Sequence, residues 1–282
     1  MDKKILAVAA VAVVVVAAAA CVLVLNNGKS GEPASDYTLL DSEDKITAGY
    51  SYTMTNTSSN GTVRISITVK SVTDGTATYT IKENSTVNDL SYILEDFGPT
   101  YFEFDYTDSD SIPDWASVSV KNKTYTINGT DTDEQPDYTV SATYENLVIV
   151  LNDSNEVTSV SGTYKSAYSE EKQQENMTRK FTTTDGELTA SVESSESITT
   201  TSSVSTISNY QTKFSESKYT TIITDKATEK FGNVDATVYT LNGTYGDSTY
   251  ENVKYYVYNG FVIHLTGVID GKDRTTTVSV HL

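Results

Sequence analysis

Tyr125-Thr126-Ile127-Asn128-Gly129-Thr130 recurs as Tyr239-Thr240-Leu241-Asn242-Gly243-Thr244, at an offset of 114 residues. Carried forward without a gap, this offset aligns residues 124–151 with 238–265, and ten of the 28 positions are identical. It also lays residues 144–151 over 258–265. Self-similarity at one long period indicates two copies of a structural unit. The sequence therefore predicts two related modules, at residues 37–152 and 153–282.

Alternating apolar side chains predict that the modules consist mainly of β-strands. From Thr62 to Val69 every second residue is apolar, the pattern of a strand with one buried face. Asp74-Gly75 follows, and the alternation resumes from residue 76 to 81, which predicts a hairpin because both turn residues accept positive φ. Asp185-Gly186 repeats this signal in the second module. Asn128-Gly129 and Asn242-Gly243 are also dipeptides typical of turns.

Each module also carries one segment with helical periodicity. Leu90, Ile93, Leu94 and Phe97 have the i, i+3, i+4, i+7 spacing of an amphipathic helix, so a helix is expected from Thr86 to Phe97. A weaker stripe in the second module is formed by Ile207, Tyr210 and Phe214. The expected fold class is mainly β: an N-terminal transmembrane helix followed by two tandem antiparallel β modules, each with one short helix.

The N-terminus contains a run that matches the thickness of a membrane. Ile5 to Leu25 are 21 residues without a charge, and as a helix they would span about 31 Å, close to the ~30 Å of a hydrocarbon core. Lys3 and Lys4 precede the run, which favours a cytoplasmic N-terminus and an extracytoplasmic remainder. Residues 1–25 are therefore expected to be a single-pass anchor or a signal, joined by a polar linker at 26–36 to the β modules.

Two other fates of this segment stay open. Ala18-Ala19-Ala20 is an acceptable cleavage site for secretion, although the apolar run is longer than the core of most signal peptides. Cys21 follows the three alanines and resembles a weak lipoprotein box, so lipidation at Cys21 is the third alternative. All three fates place the chain from about residue 26 onward outside the cytoplasm. Cys21 is the single cysteine, which excludes an intramolecular disulfide.

The net charge of the chain limits the classes of partner that we expect it to bind. A formal net charge of -18 repels phosphates, so we expect no nucleic acid partner. The membrane is contacted through residues 5–25, and the folded part is expected to meet a cell-surface protein, glycan or lipid. Acidic residues at 105–114 and 131–137 could offer oxygen ligands to calcium, but their spacing matches no preformed loop, and a solvated acidic surface is the preferred interpretation.

No motif points to catalysis, a cofactor or a metal. Nucleophile, zinc and phosphate-loop signatures do not occur, and His264 lies in an apolar run expected to be a strand. A hydrolase using only two carboxylates needs no motif and remains open. We therefore expect a protein that is not an enzyme. Eight Asn-x-Ser/Thr sequons offer candidate glycosylation sites, at Asn56, Asn60, Asn84, Asn122, Asn128, Asn152, Asn176 and Asn242.

The combination of Lys3-Lys4, an Ala/Val-rich anchor, a Gly/Pro linker and Thr/Tyr-rich strands with Asp-Gly turns resembles N-terminally anchored cell-surface proteins of archaea and bacteria. The resemblance implies a structural or binding role at the cell surface. Hairpins interrupted by one amphipathic helix are also similar, at the level of fold, to the lipoprotein-carrier half-barrel. That similarity implies the alternative function, a carrier or sensor of an apolar ligand such as a lipid.

Overall fold

The computed structural model describes residues 45–281 except 89–93, 95 and 100–103. Strand residues make up 70% of the described part, and they form one open antiparallel sheet of 14 strands. The strands are β1 Ser51–Ser58, β2 Gly61–Thr73, β3 Thr76–Asn88, β4 Ala116–Lys121, β5 Thr124–Glu134, β6 Tyr138–Leu151, β7 Val157–Glu170, β8 Gln173–Thr184, β9 Glu187–Ser203, β10 Ile223–Phe231, β11 Val234–Tyr245, β12 Ser248–Tyr258, β13 Phe261–Ile269 and β14 Lys272–His281. Their order is β10-β11-β12-β13-β14-β1-β2-β3-β9-β8-β7-β6-β5-β4. The prediction of a mainly β fold is confirmed.

The described chain divides into two compact units. Within the described residues, the inserted unit lies at 85–196, and the discontinuous unit at 45–84 and 197–281. The boundary expected from the repeat, between residues 152 and 153, falls in the β6–β7 connection within the inserted unit. The modules 37–152 and 153–282 therefore remain a prediction about the repeat and do not coincide with the compact units.

The core of the inserted unit lies on one face of strands β5 to β9. Ile127, Leu147 and Ile149 are fully buried there. Aromatic side chains from the segment before β4 cover this face: Phe97 meets Phe181 edge-on at 4.8 Å between ring centroids, and Trp115 stacks on Tyr144 at 5.6 Å. The sheet face is thus occupied by side chains of the same unit.

The discontinuous unit has two apolar clusters. One gathers Tyr50 and Ile67 with Ile263 from β13 and Ile207 from helix α1, Val204–Ser208. The other lies on β11 to β13, where buried residues such as Leu241 are covered by the segment that contains helix α2, Glu216–Tyr219. Among the described residues no helix has the length and apolar character to span a bilayer. The expected anchor at 5–25 and the linker at 26–36 lie outside those residues.

The alternating pattern is confirmed where it was strongest. In β2 the buried residues are Ile65, Ile67 and Val69, alternating with more exposed neighbours. Asp74-Gly75 turns the chain with φ of 49° and 72°, and Asp185-Gly186 does so with 54° and 81°. The predicted hairpins therefore form, and both use the positive φ that Asp and Gly tolerate.

The predicted helix from Thr86 to Phe97 is wrong at its start. Thr86, Val87 and Asn88 continue strand β3, because their backbone extends the β2–β3 hairpin. Residues 89–93 and 95 lie outside the described part, and Phe97 belongs to a 3₁₀ turn. In the second module, Ile207 lies on helix α1, whereas Tyr210 and Phe214 follow it outside the helix. Tertiary pairing has overridden the local period.

The repeated Asn-Gly dipeptides are not hairpin turns. Strands β5 and β11 run through them, and each strand shifts register at this place, which identifies a β-bulge. Gly129 and Gly243 have φ of 151° and 126°. A Cβ on Gly129 would lie 2.3 Å from the backbone carbonyl oxygen of Trp115, the residue just before β4. Glycine is therefore needed at this position of β5.

The bulge is held by the asparagine side chain. Asn128 Oδ1 accepts the backbone N–H of Asn146 on β6 at 2.8 Å. In the second copy, Asn242 Oδ1 accepts the backbone N–H of Asn252 on β12, also at 2.8 Å. The donor residues Asn146 and Asn252 both have positive φ, 46° and 51°. The side-chain amide therefore fixes a left-handed residue on the neighbouring strand.

The strand after the bulged strand contains a glycine at the place where the two backbones come close together. On β7, a Cβ at Gly162 would lie 2.1 Å from the carbonyl oxygen of Asn146. On β13, a Cβ at Gly267 would lie 2.7 Å from the carbonyl oxygen of Asn252. Both copies thus consist of the same three-strand device, Asn-Gly, positive-φ Asn and Gly.

Replacing Asn128 by alanine is expected to lower the free energy of unfolding of the inserted unit by about 1 kcal/mol, because the backbone N–H of Asn146 loses its side-chain acceptor. Asn128→Asp keeps an oxygen acceptor and should stay within about 0.5 kcal/mol of the wild type. Urea titration followed by Trp115 fluorescence measures both. Equal loss in the two variants would show that the accepted hydrogen bond is not what stabilises the bulge.

Candidate functional site

An open cleft of about 540 Å³ lies in the discontinuous unit, lined by Ile46, Thr47, Ala48, Val72, Gly75, Ser203, Val204 and Ser205. Its size falls in the range of small-molecule pockets. Its polar groups are hydroxyls, and Ser203 Oγ already bonds Ser205 Oγ at 2.8 Å. The lining contains neither an ionisable nor an aromatic side chain, so it has little means of orienting a polar ligand.

Two Glu-Lys-Tyr clusters lie on β10 to β12 and helix α2. Lys226 Nζ lies 2.8 Å from Glu216 Oε2, and the Tyr239 hydroxyl donates to the same oxygen at 2.9 Å. The hydrogen bond between them raises the pKa of Lys226 and lowers the pKa of Glu216, so both are charged at neutral pH. A lysine held in this form is neither a base nor a nucleophile. The cluster ties helix α2 to the sheet.

The second cluster joins Glu229 to Lys254 and Tyr256. Lys254 Nζ donates to Glu229 Oε1 at 2.9 Å, and the Tyr256 hydroxyl donates to Oε2 at 3.1 Å. His264 lies beside it, stacked on Phe231 at 4.7 Å, with Nδ1 3.1 Å from the Thr277 hydroxyl. Burial lowers the pKa of His264, so the ring is neutral at neutral pH. The expectation that His264 lies in a strand is confirmed.

Tyrosine side chains of the discontinuous unit pack inside the molecule. Tyr50 and Tyr52 are 0% and 2% exposed. Tyr255 lies against Tyr219 at 5.8 Å between centroids, and burial raises the pKa of its hydroxyl. Arg274 is 6% exposed, and burial lowers the pKa of its guanidinium. These rings contribute to the core and do not form an exposed binding patch.

The most unusual chemical environment is a carboxylate pair in the inserted unit. Glu175 on β8 is 6% exposed, and its Oε1 accepts a hydrogen bond from Gln173 Nε2. Gln173 Nε2 also lies 3.4 Å from Glu196 Oε1 on β9. Glu175 Oε2 is buried and has no hydrogen-bond partner among the residues described.

Both carboxyls bind protons more readily than usual. Burial raises the pKa of Glu175, and burial together with the nearby Glu175 charge raises the pKa of Glu196. Beside them, Tyr168 donates to Glu170 Oε2 at 2.7 Å, and this bond, with burial and nearby charges, raises the pKa of Tyr168 to about 12. Carboxylates with raised pKa values can serve acid–base catalysis, but the burial of Glu175 restricts access to a substrate. The pair can take up a proton as the pH falls.

Acidic side chains in the loop before β4 accept hydrogen bonds from their own turns. Asp105 Oδ1 accepts the backbone N–H and the hydroxyl of Thr107, at 2.9 and 2.6 Å. Asp108 Oδ1 accepts the N–H of Asp110 at 3.0 Å. Within the described ranges, no group of three or more His, Cys, Asp or Glu side chains is arranged to hold a metal ion.

The eight sequon asparagines fall into two groups. The side chains of Asn60, Asn84, Asn122 and Asn176 are exposed. Asn56 is 6% exposed, Asn128 and Asn242 hold the two bulges, and Asn152 Nδ2 donates to Glu156 Oε2 at 2.7 Å. Sequence reasoning could not separate the groups, because the sequon records neither burial nor hydrogen bonding.

The carboxylate pair also escaped the sequence reasoning. Glu175 and Glu196 are 21 positions apart and are brought together by the β8–β9 hairpin around Asp185-Gly186. The hairpin was predicted, but the register that faces one glutamate toward the other was not. Counting outward from the Asp-Gly turn would have been the signal.

Comparison with known proteins identifies no relative: no family model matches the chain, and no curated protein or solved structure matches it.

The buried carboxyl of Glu175 should make the protein less stable at neutral pH than an uncharged side chain would. A raised native pKa means that proton-linked stability is present below the unfolded pKa, near 4.3, and is lost as the pH rises through the native pKa. We expect Glu175→Gln to raise the unfolding free energy by about 1 kcal/mol at pH 7, and the gain to vanish near pH 4. Urea titrations at both pH values measure this.

The matched control is Glu187→Gln, at an exposed position in the same hairpin. It should change stability by less than about 0.5 kcal/mol at either pH. A gain for Glu175→Gln that is the same at pH 4 and pH 7 would contradict a charge-based origin.

If the chain carries N-linked glycans, we expect them on Asn60, Asn84, Asn122 or Asn176, because a glycan on a buried or hydrogen-bonded amide would disrupt the fold. Glycopeptide mass spectrometry of the protein from its natural source measures occupancy at each sequon. A glycan on Asn242, whose Nδ2 donates to Thr224 Oγ1 at 3.0 Å, would contradict the assignment.

Proposed function

We propose that this protein is anchored in the cell membrane by residues 5–25 and displays its β units outside the cytoplasm, where they have a structural or binding role. The observation that carries the proposal is the uncharged run Ile5 to Leu25 behind Lys3-Lys4. Its partners are membrane lipid through the anchor and a cell-surface protein, glycan or lipid through the folded part. The proposal requires no cofactor and no catalytic activity.

The surface chemistry of the folded part supports display in an aqueous exterior. Exposed strand positions are rich in Ser and Thr, and hydroxyls bond each other across strands, as Thr130 does with Thr143 at 3.1 Å. Such pairs stabilise a sheet whose outer face meets water. The net charge of -18 keeps such a surface soluble.

The alternative of an apolar-ligand carrier gains less support. A half-barrel carrier needs a concave apolar face that is open to its ligand. In the inserted unit that face is occupied by Phe97, Phe104 and Trp115, and Phe104 meets Trp115 edge-on at 5.3 Å. The cleft beside Ile46 and Val204 has the volume for a small molecule but no orienting charge.

Protease treatment of intact cells tests the topology. With an epitope at each terminus of the full chain, we expect the C-terminal epitope to be digested from outside and the N-terminal epitope to be protected until the cells are lysed. Protection of the C-terminal epitope on intact cells would refute the proposal. Val14→Arg with Val15→Arg should release the protein from the membrane fraction, since each Arg costs about 2.5–3.5 kcal/mol at a helix centre.

The mass of the mature chain separates the three fates of the N-terminus. An uncleaved anchor retains residues 1–25, a secreted form begins after Ala20, and a lipoprotein begins at Cys21 with added acyl mass. Cys21→Ser removes the third outcome and should leave membrane attachment unchanged if residues 5–25 form the anchor.

A further inference from the structure

Strand β4 ends the sheet of the inserted unit with an outward-facing backbone. A two-residue turn, Asn122-Lys123 with φ of 51° and 55°, closes the β4–β5 hairpin at the pair Lys121–Thr124. In such a hairpin the closing pair is hydrogen-bonded and the pairs then alternate. Ser119 therefore bonds β5, whereas the N–H and C=O groups of Val118 and Val120 point away from it. In the described sheet no strand pairs with this side of β4.

The side chains of β4 do not protect this edge. Val120 is 58% exposed, the highest value among the large hydrophobic side chains of the described residues. The sequence Ala-Ser-Val-Ser-Val-Lys contains neither proline nor an acidic residue, and Lys121 at its end carries the one charge. Natural proteins usually block an exposed edge with charges, proline or a bulge, because it can pair with another strand.

The opposite end of the strand order provides an internal comparison. Strand β10 occupies the equivalent place before the second Asn-Gly strand, and it carries Asp225, Lys226, Glu229 and Lys230. It also contains a register shift between Ile223 and Asp225. These are the protective devices that β4 lacks. The difference between two related edges marks β4 as the one that is open to pairing.

The charges along the β4 edge change sign from one end to the other. Lys121 lies at its C-terminal end and is exposed. Exposed Asp114 lies just before its N-terminal end. Beyond that end, β5 continues past β4 through residues 130–134, still paired with β6 on its other side, and these residues include Asp131, Asp133 and Glu134. The edge thus has a basic end, an uncharged middle and an acidic end.

We propose that β4 pairs antiparallel with β4 of a second copy of this chain, forming a two-fold symmetric dimer through a continuous sheet. Antiparallel pairing centred on Val118 sets Lys121 of each copy opposite Trp115 of the other, next to its Asp114. The charge pattern is then complementary to itself, as an isologous interface requires. Parallel pairing would place like charges together. The pairing is independent of the membrane anchor.

The first test compares edge variants of the full chain in detergent micelles by sedimentation velocity. We expect a dimer for the wild type, and Val120→Glu should raise its dissociation constant at least about tenfold, because it places a negative charge on the pairing edge beside the acidic end of the other copy. Val120→Thr keeps a β-branched strand residue and should remain dimeric. Thr228→Glu adds the same charge to an exposed position of β10 and should also remain dimeric.

Three results of this comparison would overturn the proposal. A wild type that stays monomeric at all concentrations contradicts the dimer. A dimer that persists in Val120→Glu contradicts the use of β4. Loss of the dimer in Thr228→Glu as well shows a general charge effect. Circular dichroism of each variant confirms that it is folded.

Charge reversal tests the antiparallel direction. Lys121→Asp and Asp114→Lys should each raise the dissociation constant about tenfold, since each change places like charges together twice in a symmetric dimer. The double variant restores opposite charges and should return to within about threefold of the wild type. A double variant that is weaker than both single variants would rule out the antiparallel register.

Discussion

An asparagine side chain that accepts a backbone N–H from the next strand determines the register of both β units. Asn128 binds Asn146 and Asn242 binds Asn252, each at 2.8 Å. The residue that donates this N–H has a positive φ. Its strand thereby accommodates one extra residue as a β-bulge and then continues with the same faces buried and exposed. A slip by one residue would turn every core side chain toward solvent. The fully buried pairs Ile127–Leu147 and Leu241–Val253 adjoin the two bulges and depend on this bond.

The same device explains why the repeat was found and why its extension was wrong. The Asn-Gly dipeptides are 114 residues apart, but their hydrogen-bond partners Asn146 and Asn252 are 106 residues apart. The second β-hairpin is eight residues shorter across this interval, so the ungapped extension laid strand β6 over the β12–β13 turn. A shorter signal was available, since Tyr-Glu-Asn precedes Leu147 and Val253 alike. The two copies share the same hydrogen bond between paired strands, although the number of residues between its two asparagines differs.

The sequence predicted the features that depend on residues close together in the chain. Alternation gave β2, and Asp-Gly gave the hairpin turns, because side-chain period and turn φ act within a few residues. The segment after Thr86 has a helical period, yet its first residues extend β3, since pairing with neighbours outweighs a weak propensity. The carboxylate pair of Glu175 and Glu196 depends on cross-strand register, burial and Gln173 together. Counting outward from the Asp-Gly turn gives the register, but neither the burial of Glu175 nor the hydrogen bonds of Gln173 follow from residue spacing.

The divergence between the two copies is most informative at their outer strands. Both Asn-Gly strands have a partner on one side that the motif fixes, and both accept a short strand on the other side. The exposed positions of that outer strand do not contribute to the bulge or the core, so they can change without disturbing either. Strand β10 carries four charged residues, whereas β4 carries mainly valine and serine. Since packing imposes neither choice at these positions, the uncharged middle of the β4 edge points to a contact outside the unit that selects it.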